Sequence, residues 1–418
     1  MSKHINSNLK NEADNNTNEA DNNTIDISYK DIYDLYNKNV QDEKECEKVT
    51  QSTYRNENYY DEHDDSNSRL AFYKEILYRD KKTSGFMMKY PHGTIITQAE
   101  RSNYYRGENQ IYSCSIPTLT RKLRQFKTEE DKEIYKFIAN MRVGEFEIFL
   151  ILFDYVWEWE RKYGTVLFEA LAQHYGLETN WLDITNDFNV ALFFATCFFD
   201  PNEKRWKPLT KNETEKDDQT KYGMIFQRFQ WQNDICSSMD IGGLYLEKEK
   251  SQIPNNVILP IGFQPFMRCH MQHGYGIKME MEYPLQHDDT FNKLRFRQSE
   301  KLSKEVFEMM DQGNKIYPHE GLMDFQDIIN QIRAATVFSD EAFDYAFEMS
   351  IYFTNKESCR AKILATEICG KRITIEKNIH PIHMSRQRRR QLDRQYAEFS
   401  IEKEYGIKLF TRYIAHPE

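Results

Sequence analysis

Between Asp187 and Phe198 the chain leaves a helix almost no polar face, because Val190, Ala191, Phe193, Phe194 and Cys197 fall around it. A helix that is apolar all round cannot lie on a surface and must be enclosed by other elements. The chain has the bulk to enclose it, with 27 Phe, 26 Tyr and 5 Trp among 418 residues. It is therefore expected to be globular over most of its length, which suits roughly two domains.

Charge and composition divide that length unevenly. The formal net charge is −10, but residues 1–66 hold 16 acidic and 7 basic side chains, leaving 50 against 49 in the rest. The nearly neutral body lacks the Lys and Arg excess that a broad grip on nucleic acid requires. Residues 1–66 contain the tandem NEADNNT at Asn11–Thr17 and Asn18–Thr24 and few large aliphatics. Such a segment cannot offset a backbone ordering cost of about 1–2 kcal/mol per residue, and is expected to be a disordered acidic tail.

The seven Cys form no C-x-x-C pair, which argues against a disulfide framework. The first residues lack the apolar core of a signal peptide. The most apolar stretch, Phe146 to Trp159, is broken by Asp154 and Glu158, short of a membrane span. A cytoplasmic location without membrane contact follows as the expectation.

From Leu70 the rhythm is helical, followed by a turn punctuated by Gly85, Pro91 and Gly93 and a strand over Ser102–Arg106 that stops at Gly107. Helices are predicted over Leu119–Phe126, from Thr128 with a capping pattern to Asp131, and over Glu145–Tyr163, Thr165–Tyr175 and Asp187–Phe198. Polar residues 200–221 read as a surface loop. Met224–Trp231 and Val257–Phe263 read as strands, and Cys269–Tyr283 as a hairpin. Five more helices follow in Glu300–Asp311, Leu322–Arg333, Asp340–Phe353, Glu357–Cys369 and Ser385–Tyr405, with Ser299 and Ser339 as caps. The class is α+β: a small mixed sheet with flanking helices over 69–283, then a helical region over 284–418.

Three stretches stand out, in fixed order. They are Tyr104-Tyr105-Arg106-Gly107-Glu108, then Ala172 to Thr185 (AQHYGLETNWLDIT) running into Asn189–Ala195 (NVALFFA), then Arg268-Cys269-His270-Met271-Gln272-His273-Gly274. Together they resemble the FRG domain, in which aromatic-Arg-Gly, Q-H-Y-G-x-x-T-x-x-L-D-x-T with A-L-F-F-A, and Arg-x-x-x-Gln-x-Gly recur in that order. The resemblance spans about residues 69–283. Glu108 stands where the family usually has Gln, and Asn180 and Ile184 stand where Arg and Trp are common. The resemblance implies bacterial contexts of toxins and antiphage defence.

Arg106, ahead of a glycine at a strand end, offers a guanidinium fork suited to phosphate, or else forms a buried ion pair with Asp183. Glu108 is carried with it as a pocket residue. His174, at a helix end where the dipole favours its protonated form, orients a ribose or diphosphate or acts as general acid; the alternative is a core histidine capping carbonyls. Asp183 anchors either Arg106 or backbone amides. Arg268 and Gln272, four apart in a segment read as extended, share a face and either complete the polar pocket or pin the hairpin.

Glu280-Met281-Glu282 resembles the E-x-E of arginine-specific ADP-ribosyltransferases, although E-x-E recurs elsewhere in this Glu-rich chain, as at Glu145/Glu147, Glu158/Glu160, Glu247/Glu249 and Glu402/Glu404. Both are kept as catalytic candidates beside His174. The H-x-x-H pairs at His270/His273 and His380/His383 lack further ligands at a metal spacing, so no metal site is predicted. Arg386, Arg388, Arg389, Arg390 and Arg394 make a basic helix face, the one local candidate for nucleic acid. Three functions stay open: an enzyme acting on NAD or another nucleotide, a nucleotide-sensing module that signals to a protein partner through the C-terminal helices, and a structural role for the motif residues with the working surface in residues 284–418.

Overall fold

The computed structural model describes residues 24–41, 44, 84–90, 93–99, 103–162, 166–229, 258–261, 264–279, 283–318, 321–368, 370–377, 382–397 and 411–415. At its centre lie seven strands: β1 Thr24–Asp26, β2 Asn103–Glu108, β3 Trp181–Thr185, β4 Tyr222–Phe229, β5 Ile258–Pro260, β6 Gly274–Lys278 and β7 Asn292–Arg297. Their spatial order is β1-β7-β4-β2-β3-β6-β5. Every neighbouring pair is antiparallel except β1 with β7. The class is thus α+β, with a mixed sheet.

The six helices that matter most are α1 over residues 29–41, α2 Thr118–Leu123, α3 Glu129–Ile151, α4 Phe168–His174, α5 Phe188–Thr196 and α6 Met267–Met271. The all-apolar helix is α5, and it is enclosed as its composition demands: Phe188, Ala191, Phe193 and Ala195 are fully buried against β2, β4, β7 and α1. Asp187 caps it by accepting from the Asn189 and Val190 amides.

Register across the sheet is uneven, and the unevenness creates a site. β2 pairs with β4 over six residues, from Asn103 opposite Phe229 to Glu108 opposite Met224. Toward β3 it pairs only at Tyr105 opposite Thr185. The two strands diverge beyond that point, and the Arg106 side chain bridges the gap by donating from Nη1 to the Asp183 carbonyl at 2.9 Å.

Several expectations need correcting. Within the stretch read as a tail, residues 24–41 contribute β1 and α1, and most of the remainder lies outside the described residues. Ile32 is buried with Phe188 and Phe296, and Asn39 joins the α5 cap by donating to Asp187 and accepting from the Phe188 amide. Ile27, Leu35 and Tyr36 pack against the cluster around Ile32, so a few well-placed hydrophobics dock a segment that is polar overall. Elements from the two sides of 283/284 share a sheet and a core: β7 lies between β1 and β4, and the cluster around α3 mixes Phe146 and Phe149 with Leu322, Ile329 and Leu392. Residues 84–90, read as part of a turn, pair as a strand with Gly93–Ala99, which in turn pairs with Thr411–Ala415. The 200–221 stretch is not all loop, since Cys197–Asp200 pairs with Arg205–Pro208. In place of a Cys269–Tyr283 hairpin stand α6 and the single strand β6. α3 is one continuous helix, started by Thr128 as the capping pattern predicts.

The five C-terminal helices are present, at Glu300–Met309, Gln326–Arg333, Asp340–Glu348, Lys356–Leu364 and Arg386–Gln395. Ser299 and Ser339 accept from the Leu302 and Ala342 amides as caps.

Candidate functional site

Arg106 is held from two sides. Besides its bond to Asp183 O, Nε donates to Glu108 Oε1 at 3.1 Å, two residues on and therefore on the same strand face. Glu108 in turn accepts from Ser115 Oγ through its other oxygen at 2.7 Å. Glu108 thus has both oxygens occupied and positions Arg106; it does not line the cavity with His174 and Asp183. The alternative of an Arg106–Asp183 ion pair gives way to a bond to the Asp183 backbone. Arg106 Nη2 has no partner among the described residues.

Gly107 is set by packing. A Cβ there would lie 1.7 Å from the Ala191 carbonyl oxygen, so α5 and β2 meet backbone to backbone.

His174, the last residue of α4, is 8% exposed. Its Nδ1 is 3.1 Å from Gln272 Oε1, while Gln272 Nε2 donates to Ile316 O at 3.1 Å. The second bond fixes the amide orientation, so Gln272 presents an acceptor and His174 Nδ1 carries the proton. Burial depresses the imidazole pKa, the Arg268 guanidinium depresses it further, and Asp183 and Gln272 pull the other way. Burial prevails over the helix dipole that favours imidazolium, and the ring is neutral near pH 7. Nε2 is then a lone-pair acceptor.

Facing Nε2 at 3.6 Å is Asp183 Oδ1. Both atoms are buried and have no hydrogen-bond partner among the described residues. Two acceptors at that separation do not bond to each other. A single added proton would turn the pair into a hydrogen-bonded one, with the carboxylate stabilising the imidazolium. The Asp183 side chain as a whole is 41% exposed.

These groups converge. Arg106, His174, Asp183 and Gln272, drawn from β2, α4, β3 and the end of α6, line one cavity of about 330 Å³ with Gln173, Phe194 and Tyr317. Burial pushes the Tyr317 hydroxyl up to about 12, so it is a neutral donor or acceptor. Arg268 stands behind this wall. Its Nη1 donates to the His174 carbonyl at 2.5 Å, and its guanidinium lies between the Tyr175 and Tyr317 rings at 4.7 and 4.8 Å. A cation on the last carbonyl of α4 compensates the helix end and seats His174. Arg268 and Gln272 both contact His174, and they are spaced by a helical turn and not along an extended segment.

Among residues not singled out from sequence, Gln173 and Phe194 lay inside the motifs, whereas nothing around Tyr317 marked it. Glu280 and Glu282 lie outside the described residues. His273 approaches Asp187 at 3.8 Å. Among the described residues no group of three His, Cys, Asp or Glu could hold a metal ion. Burial pushes the Cys197 thiol up to about 12. On the basic C-terminal helix, Arg388 pairs with Asp327 at 2.7 Å and stacks on Phe325, and Arg389 pairs with Asp154. Part of that face is therefore committed to internal contacts. No described helix is long and apolar enough to cross a membrane.

Residues 101–204 match the family model of the FRG domain. The match takes in Arg106, His174 and Asp183 and ends before Arg268 and Gln272. No curated protein matches the chain, and no solved structure does.

Proposed function

Proceeding from an FRG domain over residues 101–204, we propose that this chain binds a phosphorylated small molecule of the nucleotide type in the cavity beside Arg106. The observation that carries this reading is the convergence of Arg106, His174, Asp183 and Gln272 from four separate elements on one cavity. In it, Arg106 Nη2 takes a phosphate oxygen, and a hydroxyl-bearing sugar faces Asp183. Fixed donors and acceptors of this kind position a ligand without rearrangement.

Catalysis is a second reading, favoured by the neutral His174 and its Nε2 lone pair next to a carboxylate. The pair would accept a proton from the ligand or from water as a bond is made or broken, with NAD as one substrate that fits the phosphate and sugar requirements. A toxin or antiphage role extends that reading to the cell. Without turnover, the same cavity serves as a sensor whose occupancy reaches the C-terminal helices through Ile316 and Tyr317.

Thermal melts with ADP, ADP-ribose, NAD and inorganic phosphate test binding, since a ligand that binds only the folded state raises the melting temperature. Arg106→Gln is expected to abolish the rise. If no phosphorylated compound shifts the melt of the parent chain, the reading fails. Release of nicotinamide from NAD, followed by chromatography, separates the enzyme from the sensor.

A further inference from the structure

A second cavity, of about 250 Å³, adjoins the first. Arg106, Gly107 and Phe194 line both, so the two share a wall at the guanidinium. The second is differently furnished. Beside Glu108, whose carboxylate is taken up by Arg106 and Ser115, it has aromatic walls: Tyr112 is 38% and Phe199 48% exposed, and Trp206 lies against Phe199 with ring centres 5.7 Å apart. It also holds Arg121, an exposed side chain on α2 with no hydrogen bond or ion pair among the described residues. The contrast with Arg106, whose charge is balanced by Glu108, is sharp. An unpaired cation beside exposed aromatic faces suits a flat ring attached to an anion, because stacking and charge attraction then act together.

We propose that the ligand runs through both cavities, with an aromatic base against Phe199 and Tyr112, a second phosphate on Arg121, and the first phosphate and sugar beside Arg106 and Asp183. The ligand class is then a nucleoside diphosphate sugar or dinucleotide and not a sugar monophosphate. This rests on the reading of the first cavity given above. The second cavity adds affinity by linkage, since the anchored half presents the ring at high local concentration.

Calorimetric titration of the full chain with ADP-ribose and with ribose 5-phosphate tests it. ADP-ribose is expected to bind about a hundredfold more tightly, and Arg121→Ala and Phe199→Ala each to weaken ADP-ribose about tenfold while leaving ribose 5-phosphate within about twofold. Both side chains are solvent-exposed, and an unchanged melting temperature without ligand would show that each variant folds. Equal affinity for the two ligands, or indifference of ADP-ribose to both substitutions, overturns the two-cavity ligand while leaving the first cavity's role intact. If neither ligand binds the parent chain, or Arg106→Gln changes neither affinity, the underlying reading falls and takes this one with it.

Discussion

His174 shows how a single side chain can be set by opposing effects. The end of α4 favours a charged ring and full burial disfavours it, and burial prevails. The consequence for stability has a definite sign. Because the folded-state pKa is depressed below the ordinary 6.5, the unfolded chain binds a proton more readily. The contribution is complete above about pH 6.5 and is lost as pH falls through that value toward the folded pKa. Urea denaturation from pH 7.5 to 5.5 should therefore show stability falling, and His174→Gln should flatten that slope. The carboxylates with depressed pKa, such as Asp327 held by Arg388, lose their contribution only at lower pH and do not obscure the window. Glu108 carries a second residue-level lesson. Its charge balances Arg106 and leaves Arg121 as a guanidinium beside the cavities with no ion pair among the described residues.

The decisive element contact is β2 against α5. It brings the backbones so close that only glycine fits at position 107, and that closeness is what sets Arg106 at the junction of the two cavities. Gly107→Ala is expected to cost about 3 kcal/mol or more, since the obstructing atom is a backbone carbonyl that cannot rotate away. Chemical denaturation would measure it; a loss within the usual ±0.5 kcal/mol of a surface change would mean that α5 can slide. The motif glycine was visible in the sequence and so was the apolar character of α5. That the two touch was not, because 80 residues separate them and neither has a pattern that names its partner.

At the scale of the whole molecule, segments distant in the sequence share one sheet and one core. Residues 1–66 and 284–418 looked separable from a central domain by composition and rhythm. In the folded chain β1 and β7 complete the sheet, and helices from 321 to 396 share a core with α3. A chain of residues 69–283 is accordingly expected to lack a cooperative unfolding transition, as followed by near-UV circular dichroism on heating, because β4 would lose its pairing with β7 and α3 its covering helices. A sharp transition in that fragment would restore the boundary.

Local chemistry written along the chain determined the helix starts at Thr128, Ser299 and Ser339, the burial of α5, the glycine after Arg106 and the α+β class. Each depends on residues within a few positions of one another, where side-chain period and capping act directly. The tertiary structure alone decided that Arg106 bonds to the Asp183 backbone, that His174 is neutral, and that Tyr317, Arg121 and Phe199 stand at the cavities. Those outcomes turn on burial and on contacts between distant segments. The energies involved, desolvation above all, exist only once the chain has excluded water from a particular place.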